Sequence, residues 1–393
     1  MAKHSDKSAL KAPLTFNAAF AQMRKKYGSN TIMLAQEINV VTRIPMGIPS
    51  MDFQLGGGLP MGRIVHVSGD QHSGKTFLAM QIAAAMQRFY GDKMVFWLDS
   101  ERSFDAARAE QIGIDLGRLI VSRPSSSEAG LEELIEMAPF ISAGFVDSVA
   151  ALSTIAESDG TMADKQVGAV AAMLSKFFHK WISATSPEAL ADELVPMLVL
   201  TNQLRDVIGS VSKFKVTKTP GGRSMQHYPS VFIELSRGPV VKLKEQDAEG
   251  EEVVIGHDVK FKIKKNNTFQ PDKVGAFMLC TRPYDIGGYQ LSVNQVDWPR
   301  DLLKYAVHYN VIKRSGSWHE FKGKSKMKAQ GRVEAQAKLY HDGELTAEIQ
   351  ELVLAEVFRS HGVKTNNDQA QVEAPGKASS KKVVGKKQGW QRK

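Results

Sequence analysis

The sequence predicts an α/β protein whose core is a mainly parallel central sheet with an antiparallel extension. Between Arg63 and about Cys280, short strand-like runs alternate with longer helical patterns, which is typical of parallel α/β folds. The first of these runs leads through a glycine-containing loop into a helical pattern. Beyond residue 230, strand patterns follow one another without long helices, which favours antiparallel pairing there.

Composition excludes several classes of protein. A chain of 393 residues with 42% hydrophobic and 24% charged residues is expected to fold, and is not mostly disordered, collagen-like or membrane-embedded. No stretch approaches the roughly 18 apolar residues of a membrane-spanning helix, and the first residues lack the apolar core of a signal peptide. Cys280 is the only cysteine, which excludes an intrachain disulfide and a cysteine-based zinc site. The sequence therefore predicts a cytoplasmic protein without membrane contact.

An amphipathic helix is predicted before the core. Phe16 and Phe20 begin an apolar stripe at helical spacing that continues to Tyr27. Thr15 can cap this helix and Gly28 can end it. The stripe needs a covering surface, and periodicity alone favours the chain's own domain.

The other elements are predicted in chain order. A linker extends from about Ile38 to Pro49, and the main domain begins at the glycine-rich segment from Gly56 to Arg63. A first helix is expected at Lys75–Tyr90, and a small second domain at Leu302–Glu356. The predicted strands are Ile64–Ser68, Met94–Leu98, a third ending at Val146, Met197–Thr201, Val231–Leu235, Lys260–Ile263 and Gly275–Leu279.

Most of the net charge lies in the C-terminal tail. The whole chain has a formal charge of +9, and the stretch from Lys364 to Lys393 carries seven Lys and one Arg against one Asp and one Glu. This stretch lacks apolar periodicity, so burial cannot offset the entropy of ordering it. We expect a disordered basic tail. It either only aids solubility or attracts a polyanion.

A phosphate-binding loop is the strongest chemical motif. The segment GDQHSGKT satisfies G-x-x-x-x-G-K-[ST] and lies between a predicted strand and a predicted helix. Its backbone N–H groups, at a helix N-terminus, can cradle the phosphates of ATP. Lys75 supplies a mobile cation, and Thr76 supplies a hydroxyl for Mg²⁺. The candidate ATP-binding residues of the loop are Gly69, Asp70, Gln71, His72, Ser73, Gly74, Lys75 and Thr76.

Three polar residues at strand ends complete a predicted hydrolytic site. Asp147 ends the third predicted strand and is the expected carboxylate partner of Mg²⁺. Glu101 lies just beyond the second strand, where it can polarise a water at the γ-phosphate; a solvated surface Glu is the alternative. Gln203 follows the fourth strand, where its amide can sense the γ-phosphate.

Two polar loops adjoin this predicted site. The segment from Leu204 to Gln226 has five basic residues against one acidic residue, and its glycines and proline disfavour regular structure. Another glycine-containing loop runs from Glu157 to Gly168; in chain order it is the first polar loop, and Leu204–Gln226 is the second. A mobile basic loop beside a γ-phosphate sensor can couple the nucleotide state to a phosphodiester backbone. Two solvated surface loops are the alternative.

From about Phe16 to Phe358 the sequence resembles the bacterial RecA recombinases. The segments that carry the resemblance, in the family's order and approximate spacing, are KKYGSNTIM, GGGLPMGRIVHVSGDQHSGKT, DSERSFD, VDSVAAL, TNQLR, TPGGR and VIKRSGSWHEFKGK. The resemblance implies a RecA-type P-loop ATPase core, an N-terminal polymerisation helix and a small α/β C-terminal domain. It further implies that Glu101 is the catalytic carboxylate, Asp147 the Walker B residue and Gln203 the γ-phosphate sensor.

The same resemblance implies contacts with DNA and between subunits. The two polar loops correspond to the family's two DNA-binding loops, with Gly160, Gly168, Arg205, Lys213, Lys215, Lys218, Gly221, Gly222 and Arg223 as the candidate DNA-binding residues. The N-terminal helix would dock on a neighbouring subunit. The candidate intersubunit residues are Phe16, Phe20 and Lys265.

Several positions depart from the family pattern. Arg108 stands where the family commonly places a Tyr against adenine, three residues after Asp105; its guanidinium can still stack on a base. Asn267 replaces the second lysine of the family's K-N-K motif, of which Lys265 matches the first. The tail is basic where the family's tail is usually acidic. These departures are compatible with a divergent or virus-encoded member.

The sequence thus predicts an ATP-dependent recombinase that coats single-stranded DNA as a helical homopolymer and pairs it with double-stranded DNA. Single-strand-binding or mediator proteins are candidate partners. The alternatives are a hexameric RecA-fold helicase or translocase, and a non-catalytic recombination mediator. The predicted divisions are residues 1–37 (helix and arm), 38–290 (ATPase core), 291–360 (C-terminal domain) and 361–393 (basic tail).

Overall fold

The computed structural model describes residues 15–29, 31–37, 41–159, 168–186, 188–190, 194–206, 217–246, 252–323 and 327–361. Within this described part, no helix combines the length and apolar character needed to cross a membrane. The α-helices are α1 (Phe16–Tyr27), α2 (Pro49–Gln54), α3 (Lys75–Phe89), α4 (Ala106–Ile112), α5 (Ser127–Met137), α6 (Ile155–Asp159), α7 (Ala169–Ala184), α8 (Ser224–His227), α9 (Trp298–His308), α10 (Gly331–His341) and α11 (Gly343–Ser360).

In the described part of the chain, the strands form one large sheet and four small ones. The strands are β1 (Arg43–Ile44), β2 (Leu59–Pro60), β3 (Ile64–Gly69), β4 (Met94–Asp99), β5 (Leu119–Ser122), β6 (Ile141–Asp147), β7 (Met197–Gln203), β8 (Arg205–Asp206), β9 (Thr217–Lys218), β10 (Val231–Gln246), β11 (Glu252–Asn266), β12 (Lys273–Cys280), β13 (Tyr284–Ile286), β14 (Tyr289–Leu291), β15 (Ile312–Ser315), β16 (Trp318–Phe321) and β17 (Lys328–Gln330).

The central sheet has the order β12-β11-β10-β3-β7-β6-β4-β5. Neighbours from β10 to β5 are parallel, whereas β10 with β11 and β11 with β12 are antiparallel. The predicted fold class is therefore confirmed. Gly69 is in register with Gln203, and Asp99 with Asp147, so the ends of four parallel strands meet at one edge of the sheet.

The outer edge of the parallel part differs from the prediction. The sequence pattern predicts no strand between Leu98 and the strand that ends with Asp147, yet β5 pairs with β4 there and α5 follows it. Asp147 thus ends the fourth strand of the core sheet rather than the third. Strand β5 has only four residues, none of them fully buried, so its apolar signal is weak.

Helices cover both faces of the sheet. On one face, α3 packs on a cluster that includes Trp97 and Phe145, whose rings stack at 5.1 Å between centroids. On the other face, α5 and α7 pack on a cluster that includes Phe96 and Leu98. Successive residues of β4 point to opposite faces, and both faces are apolar because both are covered. This burial holds the strand ends of the candidate site in fixed positions.

Most of the predicted linker belongs to the folded core instead. Strand β1 pairs with β2, and the side chains of Ile44, Met46 and Ile48 are buried. The carboxylate of Asp52 accepts hydrogen bonds from the backbone N–H groups of Met46, Gly47 and Ile48 at 2.8–3.1 Å. Alternating prolines and glycine break both the helical and the strand period in this segment, so periodicity did not reveal its burial.

Helix α1 forms with the predicted ends. Thr15 Oγ1 accepts a hydrogen bond from the backbone N–H of Ala18 at 3.4 Å, and Gly28 ends the helix at φ +94°. No residue of α1 is buried by the described part of the chain, and Phe16 is 69% exposed. The expected packing of the stripe on its own domain is therefore absent among the described residues.

The C-terminal unit combines α9, α10 and α11 with the three-stranded antiparallel sheet β15-β16-β17. It is attached to the core through α9. Asp301 Oδ2 accepts a hydrogen bond from the backbone N–H of Ser50 at 2.7 Å, and Phe53 packs on Tyr305 at 5.9 Å between ring centroids. Its own apolar cluster contains Leu302, Ile312, Phe321, Ala335, Leu339, Leu345 and Ile349.

Candidate nucleotide site and adjoining loops

The phosphate-loop motif connects the end of β3 to the start of α3. Gly74 adopts φ +94°, which favours glycine, directly before the first turn of α3. At Gly69, a Cβ atom would lie 2.3 Å from Ser73 Oγ, so a side chain there would require the loop to move. Lys75 Nζ donates a hydrogen bond to the Asp70 carbonyl oxygen at 2.8 Å, across the loop. The loop thus has the backbone geometry of an anion-binding loop at a helix N-terminus.

The outer part of this loop is exposed and its inner part is buried. Asp70, Gln71 and His72 face solvent, and His72 has φ +58°. Ser73 is 1% exposed, and its Oγ has no hydrogen-bond partner among the described residues. A buried, unpaired hydroxyl costs free energy, so this atom is a ready donor for a phosphate oxygen.

Thr76 and Asp147 lie side by side at the start of α3 and the end of β6. Thr76 Oγ1 donates a hydrogen bond to Asp147 Oδ2 at 3.0 Å. Thr201 Oγ1, on β7, donates to the other carboxylate oxygen. The two oxygens of Asp147 are therefore oriented by one residue of β7 and one residue of α3.

Burial perturbs the charged groups at this edge. Burial raises the pKa of Asp147, and the hydrogen bonds from Thr201 and Thr76 oppose that rise. Burial lowers the pKa of Lys75, and the negative charges of Asp147, Glu101 and Asp70 oppose that fall. Opposed effects of this kind are common at functional sites.

Glu101 lies in the turn after β4, next to the end of β7. Its Oε1 atom accepts hydrogen bonds from Ser148 Oγ and, at 3.3 Å, from Gln203 Nε2. The Glu101 Oε2 atom has no hydrogen-bond partner in the described part of the chain. The structure thus brings Glu101, Gln203, Asp147 and the phosphate loop to one edge of the sheet, as the sequence predicts.

Three residues at this edge were missed by the sequence analysis: Asp99, Ser148 and Thr201. Asp99 ends β4 and accepts hydrogen bonds from the backbone N–H groups of Ser103 and Phe104 at 2.9 and 3.1 Å. It therefore fixes the turn that carries Glu101. The position of Asp99, after an apolar run and two residues before Glu101, could have indicated from the sequence that it belongs to the site. No sequence pattern marks the hydroxyls of Ser148 and Thr201.

Asp105 directly precedes α4, and Arg108 lies on the first turn of this helix. Asp105 Oδ1 accepts a hydrogen bond from the backbone N–H of Arg108 at 3.1 Å and so caps the helix. Arg108 is half-buried, and its Nε atom has no hydrogen-bond partner among the described residues. The structure records no bond between these two side chains and the phosphate loop within the described ranges.

The C-terminal parts of the two polar loops meet at α7. Strands β8 and β9 pair Arg205 with Lys218 at the base of the second loop. Beyond this stem, Gly222 approaches α7 so closely that a Cβ would lie 2.8 Å from Ala171 Cβ. Gly168 begins α7 at φ +93°. Among the other predicted DNA-binding residues, Gly221 lies against Leu174 and Arg223 precedes α8, whereas Gly160, Lys213 and Lys215 lie outside the described residues.

The predicted intersubunit residues lie away from this chain's own nucleotide site. Lys265 is paired with Phe232, which is level with His66 on β3, about 10 Å along the strand from Gly69. Its ammonium donates hydrogen bonds to two backbone carbonyls at the end of α8, at 3.0 and 3.1 Å. On α1, Phe16 and Phe20 stack on each other at 5.6 Å between ring centroids.

Comparison with protein families finds matches to two family domains along the chain. The RecA N-terminal domain matches residues 14–281, and the RecA C-terminal domain matches residues 300–357. The curated relatives include Protein RecA of Rhodopirellula baltica, which is 33% identical over 339 residues, covering 85% of this chain and 83% of the relative. Protein RecA of Clostridium tetani is 32% identical over 373 residues, covering 94% and 97%. Protein RecA of Sulfurimonas denitrificans is 31% identical over 346 residues, covering 87% and 92%.

Proposed function

This chain belongs to the RecA family, whose members are DNA-dependent ATPases, and we propose from that membership how its own residues act. The proposed activities are assembly into filaments on single-stranded DNA, homologous pairing with a duplex and strand exchange. The observation that carries the proposal is that two hydrogen-bonded pairs, Thr76–Asp147 and Glu101–Gln203, lie at the edge that also holds the phosphate loop. The second polar loop begins at this edge, directly after Gln203 at the end of β7.

The residues at this edge fit a complex of ATP with Mg²⁺. Thr76 and Asp147 offer a hydroxyl and a carboxylate oxygen 3.0 Å apart, and such oxygens are the ligands that Mg²⁺ prefers. Thr76 and Asp147 would hold Mg²⁺, which would supply positive charge to offset the negative charge that develops during phosphoryl transfer. Thr201 would keep the Asp147 carboxylate in one orientation throughout. The loop N–H groups, Ser73 and Lys75 would bind the phosphates.

Glu101 is proposed to act on the attacking water. Ser148 and Gln203 bind its Oε1 atom, which leaves Oε2 to accept the proton of a water aimed at the γ-phosphorus. Attack by this water breaks the bond to the bridging oxygen, and the products are ADP and inorganic phosphate. Gln203 would exchange its bond to Glu101 for one to the γ-phosphate.

This exchange of hydrogen bonds would couple the nucleotide state to the second polar loop, which is proposed to bind DNA. Gln203 ends β7 only two residues before Arg205, where β8 pairs with β9 to form the stem of the second loop. A change in the position of Gln203 would therefore move that stem. An ordered γ-phosphate and Mg²⁺ can in this way bias a loop between two states.

The remaining predicted residues are proposed to contact the base and the neighbouring subunit. The unpaired Nε of Arg108 and its half-buried position support stacking of its guanidinium on the nucleobase, next to Asp105. The exposed stripe that begins with Phe16 and Phe20 supports docking of α1 on a second copy. Because Lys265 lies far from its own phosphate loop, any nucleotide it reaches would belong to a neighbour.

We also propose a cytoplasmic location, which a single cysteine and a DNA substrate support. Single-strand-binding or mediator proteins remain proposed partners, since a recombinase must compete with other proteins for single strands. Electron microscopy of the protein with single-stranded DNA and a non-hydrolysable ATP analogue tests the assembly. Open helical filaments are expected; closed rings would favour a helicase or translocase, and filaments without ATP hydrolysis or strand exchange would favour a mediator.

Replacement of Lys213, Lys215 and Lys218 together with Ala is expected to weaken DNA binding for every sequence and to flatten its salt dependence. Each lost phosphate contact on a single strand lowers the log–log salt slope by about 0.7, so the triple variant should lose roughly 2 units. The slope is measured by fluorescence titration from low to moderate salt. The matched variant with three Arg residues keeps the charge and should keep the slope; an unchanged slope in the Ala variant would make these lysines ordinary solvated charges.

Ending the chain after Val363 is expected to weaken duplex binding at low salt and to leave DNA-free ATP binding intact. The removed tail lies outside the described residues, and its net charge should raise the local concentration of DNA without specifying sequence. The effect should vanish at a few hundred millimolar salt, where the Debye length falls to roughly 5 Å. A full-length variant with Lys381, Lys382, Lys386 and Lys387 changed to Gln separates charge from length. Stronger duplex binding after truncation would instead identify an inhibitory tail.

A further inference from the structure

Three consecutive backbone N–H groups just before the first polar loop are each bound by a side-chain oxygen. The N–H of Ser153 donates to Ser127 Oγ at 3.0 Å, and the N–H of Ile155 donates to Glu128 Oε1 at 2.9 Å. The N–H of Thr154, between these two residues, donates to Glu157 Oε2 at 2.9 Å. Two of the three acceptors lie on the first turn of α5, more than 25 residues earlier in the chain. The start of the loop is therefore attached to a different element of the fold.

The second oxygen of the Glu128 carboxylate is also unusual. Glu128 Oε2 is buried and has no hydrogen-bond partner among the described residues. Burial of an unpaired carboxylate oxygen costs free energy, so packing alone gives no reason for an acidic residue at this position. Glu128 Oε1 accepts a hydrogen bond from the backbone N–H of Ile155, and among the described residues this bond is what offsets the cost of burying Oε2.

Helix α5 also supports the other end of the loop. Leu131 and Leu134 of α5 belong to the same buried cluster as Leu174 and Phe178 of α7, the helix that begins where the loop ends. On the surface, Lys180 of α7 forms an ion pair with a glutamate of α5. Both ends of the first loop are thus fixed to one helix. The separation of the ends is set by α5 rather than by the loop.

We propose that Glu128, with Ser127, is a positioning residue that fixes the starting point of the first DNA-binding loop. The proposal rests on the proposed function, because it takes this loop to contact DNA. A fixed starting point leaves less conformational entropy to lose when the residues at the start of the loop contact DNA. Glu128 contacts neither the nucleotide site nor DNA in this role; it acts through the backbone of Ile155.

Because Glu128 is charged, loss of its charge and loss of its hydrogen bond should change DNA affinity in opposite directions. A carboxylate near a DNA-binding loop repels phosphates, so removing the charge alone should strengthen DNA binding slightly. Removing the hydrogen bond between Glu128 and the backbone of Ile155 should weaken DNA binding. Because a hydrogen bond to a charged acceptor is lost, we expect Glu128→Ala to bind single-stranded DNA about tenfold more weakly. Glu128→Gln keeps an oxygen acceptor and loses the charge, so it should bind at least as tightly as the unmodified protein.

The experiment measures binding of the full-length protein to single-stranded DNA in a non-hydrolysable ATP analogue. Glu136→Ala is the matched control, since it removes the same charge from an exposed position of the same helix without touching the loop. Amide hydrogen exchange of the DNA-free protein is measured in parallel. Exchange at Ile155 should be about tenfold faster in Glu128→Ala, and the increase should be much smaller in Glu128→Gln, which keeps a neutral acceptor.

Two results would overturn the proposal. One is Glu128→Ala binding DNA as tightly as Glu136→Ala, and the other is unchanged exchange at Ile155. Ser127→Ala gives an independent test if Glu128→Ala does not fold: exchange at Ser153 should be faster and DNA binding about threefold weaker. Failure of the unmodified protein to bind DNA would contradict the proposed function instead. The exchange data would still show whether Glu128 fixes the backbone of Ile155.

Discussion

Lys75→Ala is expected to abolish ATP-dependent DNA binding and to lower ATP affinity about a hundredfold. In the structure the Lys75 ammonium is held above the phosphate loop by the Asp70 carbonyl, with Asp147 and Glu101 close enough to oppose the fall of its pKa. Without this cation, those two carboxylates would repel the phosphates uncompensated. Loss of two or more charge-assisted hydrogen bonds gives the expected size of the effect.

Titration with a fluorescent ATP analogue, followed by DNA binding with and without nucleotide, checks this expectation. Lys322→Ala is the control, because it removes an exposed lysine from the C-terminal unit. It should leave ATP affinity unchanged. If the Lys75 variant still bound DNA in an ATP-dependent manner, the phosphate loop would not be the site that controls DNA binding.

Glu101→Gln is expected to slow ATP hydrolysis by at least about a hundredfold while ATP binding is preserved. The amide oxygen of Gln can accept the same hydrogen bonds from Ser148 and Gln203, so the geometry of the site should persist. An amide cannot take a proton from water, and general-base catalysis commonly contributes about 10²–10⁴ in rate. The loss should therefore appear in kcat rather than in nucleotide affinity.

Single-turnover hydrolysis with saturating DNA checks this second expectation. Glu110→Gln, an exposed position on α4, makes the same chemical change away from the site and should hydrolyse ATP at the normal rate. Filaments of the Glu101 variant should form with ATP and persist, because release would depend on hydrolysis. Normal turnover by this variant would remove Glu101 from the proposed catalytic role.

The sequence alone determined the fold class and the outline of the site. Strand and helix patterns around GDQHSGKT are local, so β3, the phosphate loop and α3 could be predicted within one residue of their bounds. Parallel strands put their carboxyl ends on one edge, which is why Glu101, Asp147 and Gln203 were predicted to meet. Their proposed roles stay predictions, as do those of the loop lysines.

Only the tertiary structure decided what surrounds these residues. The bonds from Ser148 to Glu101, from Thr201 to Asp147 and from Ile155 to Glu128 join residues 27 to 54 positions apart, and the hydroxyl and amide groups involved leave no periodic signal. Burial of the predicted linker and the added edge strand β5 likewise depend on pairing with distant segments. Periodicity reports which side of one element is apolar. Register between elements decides which polar atoms meet, and the register is set only when the whole sheet packs.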